Sequence, residues 1–547
     1  MLQAKFMRAA LASLTLALAP IGACIAADER QSLEELRNTV INLLNGLVDK
    51  GIISKDQAAQ MVKSAQEKAA ADAAAVAKAD EGAVRVPYVP QIVQDQIAKQ
   101  VAEEVKPAVT ADVLKDAKTQ AWGVPGALPE WLTRTHISGD VTLREEGIFF
   151  DKNNAQGTYL NYYAINQAGG QSQAGANAFE DTSENRIRTR ARLHLGVESD
   201  LTDSISTGAR IATGNTSDLV SESQTLNSPG TYSFGLDELY IRLDERNAKR
   251  FPWLSVVGGR FLNPYETPTD LIFHKDYTFT GFAATGRFGF GDGSQEQSHV
   301  FLTAGVHPLE EIEFSPQDKW LVAAELGSNL RWGEGQRLRV SGAYYDFLNV
   351  TGRLNPATSP GLYNYTAPAF IRQGNTVFNI ANNPTNPGDQ LFAYASKFRL
   401  VNLNATYTWA LGRYSFAATA DAVRNFGFNT NFVASQVGFY VAPRTKGYQA
   451  QVSFGYPAVL TAGAWRALVG YRYLERDAVM DEFTDSDFHF GGTDARGYYV
   501  VGDYGLANRV WLRLRYLSAN EIDGPATVSG PTTLGIDTLQ IDVNTRF

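Results

Sequence analysis

The sequence predicts an all-β barrel of about sixteen antiparallel strands, preceded by an α-helical, coiled-coil-like N-terminal region. Three observations carry that prediction. Arg186, Arg188, Arg190 and Arg192 stand two residues apart, with Ile187, Thr189, Ala191 and Leu193 between them. Only a β-strand has a side-chain period of two, so this stretch is a strand with cations on one face and apolar groups on the other. Taken alone it would fit a hairpin on a soluble sheet equally well. The second observation is that similar alternating segments recur from residue 136 to the end. The third is that the links between them tend to alternate long and short, as in a transmembrane barrel with its long loops at one end.

Residues 1–27 read as a secretory signal. Lys5 and Arg8 precede an apolar run at 11–19, and the small residues Ala23, Ala26 and Ala27 follow. Cleavage after Ala26 or Ala27 removes Cys24, the only cysteine. A competing reading makes Cys24 the lipidated residue of a lipoprotein signal. No later apolar run is long enough for a transmembrane helix, but a closed barrel also satisfies its backbone inside a bilayer.

Residues 28–125 read as helical. Leu33, Leu36, Val40, Leu43 and Leu47 repeat at alternating spacings of three and four, the seam of a coiled coil. Ser54 with Gln57 forms a capping box for a second helix carrying Ala58, Met61, Val62 and Ala65. Pro87, Pro90 and Pro107 interrupt the pattern, and residues 122–129 have linker composition. This region is too poor in large apolar residues for a globular core. It is either an oligomerising or tethering coiled coil or a solvated spacer.

The barrel occupies 131–547, with strands near 136–146, 186–200, 203–213, 236–243, 252–261, 276–288, 299–307, 320–331, 336–348, 397–410, 413–423, 446–456, 465–476, 496–504, 508–518 and 537–547. In the last strand Leu539, Ile541, Val543, Thr545 and Phe547 share one face, and Gln540, Asp542, Asn544 and Arg546 the other. Val510, Leu512, Leu514 and Tyr516 likewise oppose Arg509, Trp511, Arg513 and Arg515. One face suits lipid and the other water. Links 147–185 and 349–396 are the longest, and those after strands four, six and twelve are intermediate.

The strand ending in Phe547 resembles the assembly signal of Gram-negative outer-membrane proteins, and the opening HISGDVTLREE resembles the first strand of porins. With its signal, helical front end and barrel in that order, the chain resembles the "putative porin" family with an N-terminal periplasmic coiled coil. The resemblance implies an outer-membrane location with 28–125 in the periplasm. It also implies contact with outer-membrane lipid, recognition of Phe547 by the barrel-assembly machinery, and a homotrimer. Contact of the helical region with peptidoglycan or another periplasmic component would fit the same plan.

In a closed barrel the last strand adjoins the first, which brings the inward arginines onto neighbouring strands. Arg509, Arg513, Arg515, Arg546, Arg144, Arg186, Arg188, Arg190, Arg192, Arg210, Arg242 and Arg260 then form a basic, pore-lining wall, and Arg466, Arg472 and Arg476 extend it. Low-dielectric walls around water focus the field of such charges. The resemblance also implies an inward-folded loop after strand five, here 262–275, with Glu266 and Asp270 as candidate constriction acids. The alternative is that Asp140, Glu146 and Glu238 neutralise the arginines and hold the barrel's shape; both can operate together.

The expected function is a porin: a water-filled channel for passive diffusion of small hydrophilic solutes, anion-preferring. A substrate-specific anion channel and a structural or adhesive barrel with little conductance are the alternatives. Asp481, Glu482, Asp485 and Asp487 cluster in one loop, either as Ca²⁺ ligands or as a solvated acidic loop. His136, His194, His274, His299, His307 and His489 show no metal-ligand spacing. No nucleophile elbow, phosphate-binding loop or acid/base pair is present, so no catalytic residue, metal or cofactor is expected. The net charge of −9 argues against a nucleic-acid partner.

Overall fold

The computed structural model describes residue 48, residues 54–77 and residues 133–547, the last without 215–217, 293, 295, 334, 384, 387–388 and 527–531. The signal, the leucine seam and the 122–129 linker lie outside the described residues. Among the described residues, the helix α1 (Lys55–Ala77) lies in the N-terminal unit. Its capping box forms as the sequence predicts. The Ser54 hydroxyl accepts the Gln57 backbone N–H at 3.2 Å, and the Gln57 side chain accepts the Ser54 N–H at 3.0 Å.

Sixteen strands make the barrel. They are β1 (Thr135–Phe150), β2 (Arg186–Asp200), β3 (Ile205–Thr213), β4 (Phe234–Arg246), β5 (Pro252–Leu262), β6 (Thr278–Phe290), β7 (Ser298–Glu310) and β8 (Lys319–Trp332), then β9 (Gln336–Leu348), β10 (Phe398–Leu411), β11 (Tyr414–Asn425), β12 (Lys446–Gly455), β13 (Trp465–Leu474), β14 (Ala495–Ala507), β15 (Val510–Glu521) and β16 (Gly535–Arg546). Each pairs antiparallel with its sequence neighbours, and β16 pairs with β1 from Asp140↔Arg546 to Phe150↔Ile536. The sheet therefore closes and has no edge. Period-two alternation fixes the faces. On β16 Ile541 and Val543 are exposed on the outside, whereas Gln540 and Asp542 are buried within. Among the described residues no helix is long and apolar enough to cross a membrane, which does not bear on strands.

Successive connections alternate between the two ends of the barrel. Segments 201–204, 247–251, 291–297, 333–335, 412–413, 456–464 and 508–509 lie at one end. Segments 151–185, 214–233, 263–277, 311–318, 349–397, 426–445, 475–494 and 522–534 lie at the other. The links of intermediate length after β4, β6 and β12 all belong to the short-turn end.

Two long-end segments fold into the barrel. Segment 263–277 leaves β5 and reaches the far wall. The Glu266 N–H donates to the Glu325 carboxylate on β8 at 3.0 Å, Asn404 on β10 donates to the Glu266 carbonyl at 2.8 Å, and Thr269 donates to Asp421 on β11 at 2.6 Å. Leu271, Ile272 and Phe273 drive this path, being at most 2% exposed. Burying each is worth roughly 1.5–3 kcal/mol, which a surface loop would forfeit. Segment 475–494 is the second. Phe483 packs edge-on to Phe273 and Tyr277, and its carbonyl accepts the His274 N–H at 2.8 Å. Segment 349–397 covers them, with Thr376 donating N–H and hydroxyl to Asp477 at 2.9 and 2.6 Å.

The closing rung of the barrel gives a test. Gly139 and Phe547 exchange backbone hydrogen bonds at 3.2 and 2.9 Å. A Cβ on Gly139 would run into the Phe547 ring and lie 2.7 Å from the His194 carbonyl. Gly139→Val is expected to destabilise the folded barrel by about 1–3 kcal/mol through overpacking. Heat-modifiable gel mobility measures it, and an unchanged unfolding temperature would refute the packing argument.

Candidate functional site

The interior of β1, β2, β15 and β16 carries stacked charges, which alternation forces into one column per strand. In register, Arg144 lies opposite Asp542 on β16 and Arg190 on β2. Arg144 grips Asp542 with Nε and Nη2 at 2.8 and 3.0 Å, a bidentate pair. Glu146 accepts from Arg188 Nε at 2.5 Å, Arg190 Nη1 at 3.3 Å and Gln540 Nε2 at 2.8 Å.

The tip of segment 475–494 completes this belt. Asp487 Oδ2 receives Arg144 Nη1 and Arg515 Nη1, each at 3.0 Å, and its Oδ1 lies 3.7 Å from Arg190 Nη1. Asp485 Oδ2 receives Arg515 Nη2 at 2.8 Å and lies 3.6 Å from Arg472 Nη2. Asp485, Glu146, Asp542, Arg190 and Arg472 are all buried. Charges this buried persist because each has a partner; removing one partner of such a pair typically costs about 3–5 kcal/mol.

Toward the short-turn end Arg192 meets Asp140 and Asp276, both at 3.3 Å. His194 bridges Asp140, at 2.9 Å, and Glu222. Arg210 is ringed by Asp237, Glu238 (2.7 Å) and Glu222 (3.7 Å). Asp503 holds Arg466 at 2.9 Å and Arg513 at 2.7 Å.

Two cavities flank the belt. The one at the long-loop end, about 540 Å³, touches Ile148 on β1 and Arg186, Arg188 and Arg190 on β2. Arg372, Glu180, Asp181, Glu184 and Asp218 also line it, so its formal charges balance. The one at the short-turn end, about 320 Å³, touches Asp140 and Thr142 on β1. There Arg192, Arg466, Arg513 and Arg546 face only Asp140 and Asp503 among the described lining residues. Arg144 and Glu146, between these positions on β1, line neither cavity.

The remaining predicted residues scatter. Arg509 sits in the β14–β15 turn with φ 60°, not on a strand. Arg242 lies over the Tyr240 ring at 4.7 Å, and Arg260 donates to the Asp237 carbonyl at 2.9 Å. Glu266 pairs with Arg339 on β9 at 3.3 Å, and Asp270 accepts the Lys275 N–H at 2.9 Å. From segment 263–277 Asp276 reaches Arg192 and Asp270 lies close enough to act on Arg515; Glu222 of 214–233 reaches Arg210, and Asp485 and Asp487 of 475–494 reach Arg515. The acidic cluster there is not a solvated loop, because Asp481 and Asp485 are at most 1% exposed. Among the described residues no group of His, Cys, Asp and Glu is arranged to hold a metal ion.

Burial and charge pull this one segment in opposite directions. Burial raises Asp477 to about 6, Asp481 to about 7 and Glu482 to about 8. Burial also pushes Asp485 and Asp487 upward, but Arg515 and Arg472 beside the first, and Arg144, Arg515 and Arg190 beside the second, outweigh it and hold both carboxyls far below their usual range.

A family model described as "Putative porin" matches residues 37–547. No curated protein sequence is similar enough to count as a match. Among solved structures, the chain is similar to OprB of Pseudomonas putida (11% identity, TM-score 0.41, covering 78% of this chain and 97% of that one). It is also similar to the outer membrane channel DcaP of Acinetobacter baumannii (9%, 0.39, 76% and 97%). Salmonella typhi OmpF is a third (13%, 0.37, 76% and 97%).

The titrations make a prediction. The raised groups bind protons in the folded state, so their contribution is full below about pH 4 and lost as pH rises through about 6–8. Asp485 and Asp487 contribute above about pH 4 and lose their pairing only in stronger acid. Segment 475–484 is therefore expected to loosen between about pH 5 and 9 while the tip stays paired. Limited proteolysis of the folded barrel, with cut sites read by mass spectrometry, should show cleavage in 475–484 accelerating with pH. A pH-independent rate would count against it.

Proposed function

Because the chain belongs to the porin family whose model spans residues 37–547, we propose that it is an outer-membrane channel for passive diffusion of small hydrophilic solutes, and not an enzyme. The observation that carries this reading is a closed sixteen-strand barrel with an apolar exterior and a charged interior, hollow at both ends. By the usual arrangement of such barrels the long loops face outward and the short turns face the periplasm. On this reading the N-terminal helical region lies in the periplasm, where it tethers or oligomerises the protein and contacts peptidoglycan. Phe547 serves the barrel-assembly machinery, and three copies form the functional unit in outer-membrane lipid.

Anion preference, on this reading, belongs to the short-turn cavity. Most wall arginines have carboxylate partners, which removes much of their field at a distance. The balanced outer cavity adds little. Arg192, Arg466, Arg513 and Arg546 outnumber the aspartates in the inner one, and there the low-dielectric wall focuses an uncompensated positive charge.

A planar-bilayer recording tests both statements. Conductance steps in groups of three are expected, with reversal potentials in a KCl gradient showing chloride preference. Combining Arg513→Gln with Arg546→Gln is expected to lower the anion-to-cation permeability ratio by a factor of about two or more. Cation preference in the unaltered protein would reject the selectivity reading. The inward segments 263–277 and 475–494 favour a second reading, a plugged structural barrel. Silence from correctly folded protein would select it.

A further inference from the structure

We propose that Arg144, Arg190 and Arg515 form a binding site for small carboxylate solutes, which the protein's own Asp487 occupies in this conformation. The inference rests on the channel reading and assigns a ligand class to the belt between the two cavities. Three guanidinium groups from β1, β2 and β15 converge on one carboxylate. Two of them share Oδ2 at 3.0 Å, and the third approaches Oδ1 at 3.7 Å. A cradle with two donors on one oxygen and a third guanidinium facing the other favours a planar two-oxygen anion over a spherical one such as chloride.

The cradle is reachable. Arg190 and Ser486, the residue before Asp487, both line the long-loop cavity, so a solute entering there meets Arg186 and Arg188 before the cradle. The occupant is also a side chain that has somewhere to go. The stem of its segment is fixed independently, through Asp477 to Thr376 and through the Tyr394 hydroxyl to Asp481 at 2.5 Å. Asp487 can therefore leave the cradle by side-chain rotation without undocking the stem.

The tip is held in a conformation that its sequence does not favour. His489 (φ 55°), Phe490 (φ 65°) and Asp494 (φ 58°) are non-glycine residues in the left-handed region, beside Gly491 and Gly492 at φ 83° and 87°. Backbone strain persists where surrounding contacts over-determine it. Here the contacts include the Asp485 and Asp487 ion pairs, the Arg372 bond to the Phe490 carbonyl at 3.1 Å and the His489 bond to the Leu534 carbonyl at 3.0 Å. A competing carboxylate would satisfy the arginines in place of Asp487 and allow part of that strain to relax.

Competition with a tethered occupant weakens the observed affinity for a free ligand by the fraction of time the site stands empty. Emptying the cradle should remove that handicap. The test is isothermal titration of sodium acetate into the full-length folded protein in detergent, beside the same titration into D487A and into R515Q. Acetate is expected to bind D487A about tenfold or more tightly than the unaltered protein, and R515Q is expected to lose binding. Equal or weaker binding to D487A overturns the proposal. Should D487A not reach its heat-modifiable folded form, D487N removes the charge at nearly constant shape and is held to the same criterion. Bilayer recordings on the same preparations separate the two failures. Conductance with no gain in acetate affinity rejects the site and leaves the channel. A gain in affinity without conductance supports the site and rejects the channel reading.

Discussion

Charge buried away from water inside a closed barrel must find a partner there. Strand alternation forces Arg186, Arg188, Arg190 and Arg192 into one column, and pairing of β1 with β2 sets Arg144 beside it. Guanidinium groups keep their charge at any relevant pH, so proton loss cannot relieve this crowding. The remaining solution is to import carboxylates. Strands supply Asp140, Glu146, Asp503 and Asp542, but these do not saturate Arg144, Arg190 and Arg515. The tip of 475–494 comes in to supply Asp485 and Asp487, and much of the interior is arranged around its path.

Most of the fold was legible because two simple periods control it. Period two gave the faces, and all sixteen expected strands overlap the observed ones. The Ser54–Gln57 spacing gave the start of α1. The alternation of loop lengths is imperfect in the structure as well, since 456–464 at the short-turn end is longer than 311–318 at the other. The site was less legible, for a physical reason: periodicity says which way a strand residue points but nothing about where a loop travels. Asp485 and Asp487 stood out as an acidic cluster, yet an acidic loop is ordinarily solvated. The signal that could have placed the inward path lies in the neighbouring segment: Leu271-Ile272-Phe273 within polar surroundings is costly to leave in water. Arg509 falls outside its expected strand for another reason: β14 continues to Ala507, so the turn moves to 508–509 and takes Arg509 in the left-handed region.

The belt divides the interior into unequal halves. The outer cavity balances Arg186, Arg188, Arg190 and Arg372 with Glu180, Asp181, Glu184 and Asp218. The inner cavity keeps an excess of arginine. A charged solute moving inward would pass from a nearly neutral vestibule, across a belt of satisfied ion pairs, into a positive one. On the proposed reading, selectivity and affinity have different addresses: long-range preference belongs to unpaired excess charge, and short-range recognition belongs to donors that can change partner.

The two inward segments also cannot move independently. The His274 N–H bond to the Phe483 carbonyl joins them, and Phe273, Tyr277, Phe279, Tyr345 and Phe483 interlock edge to face around that joint. Close-packed aromatic clusters shift between discrete arrangements and do not deform smoothly. Segment 263–277 carries Asp276 to Arg192 on the short-turn side of the belt, while 475–494 carries Asp487 to Arg144 within the belt itself. Loosening the joint would therefore weaken ion pairs in the belt and beside it at once. Rotating Asp487 alone would leave the joint intact. The structure thus separates a local exchange of partners at the cradle from a larger displacement of both segments, and the second requires breaking the aromatic cluster that the first leaves untouched.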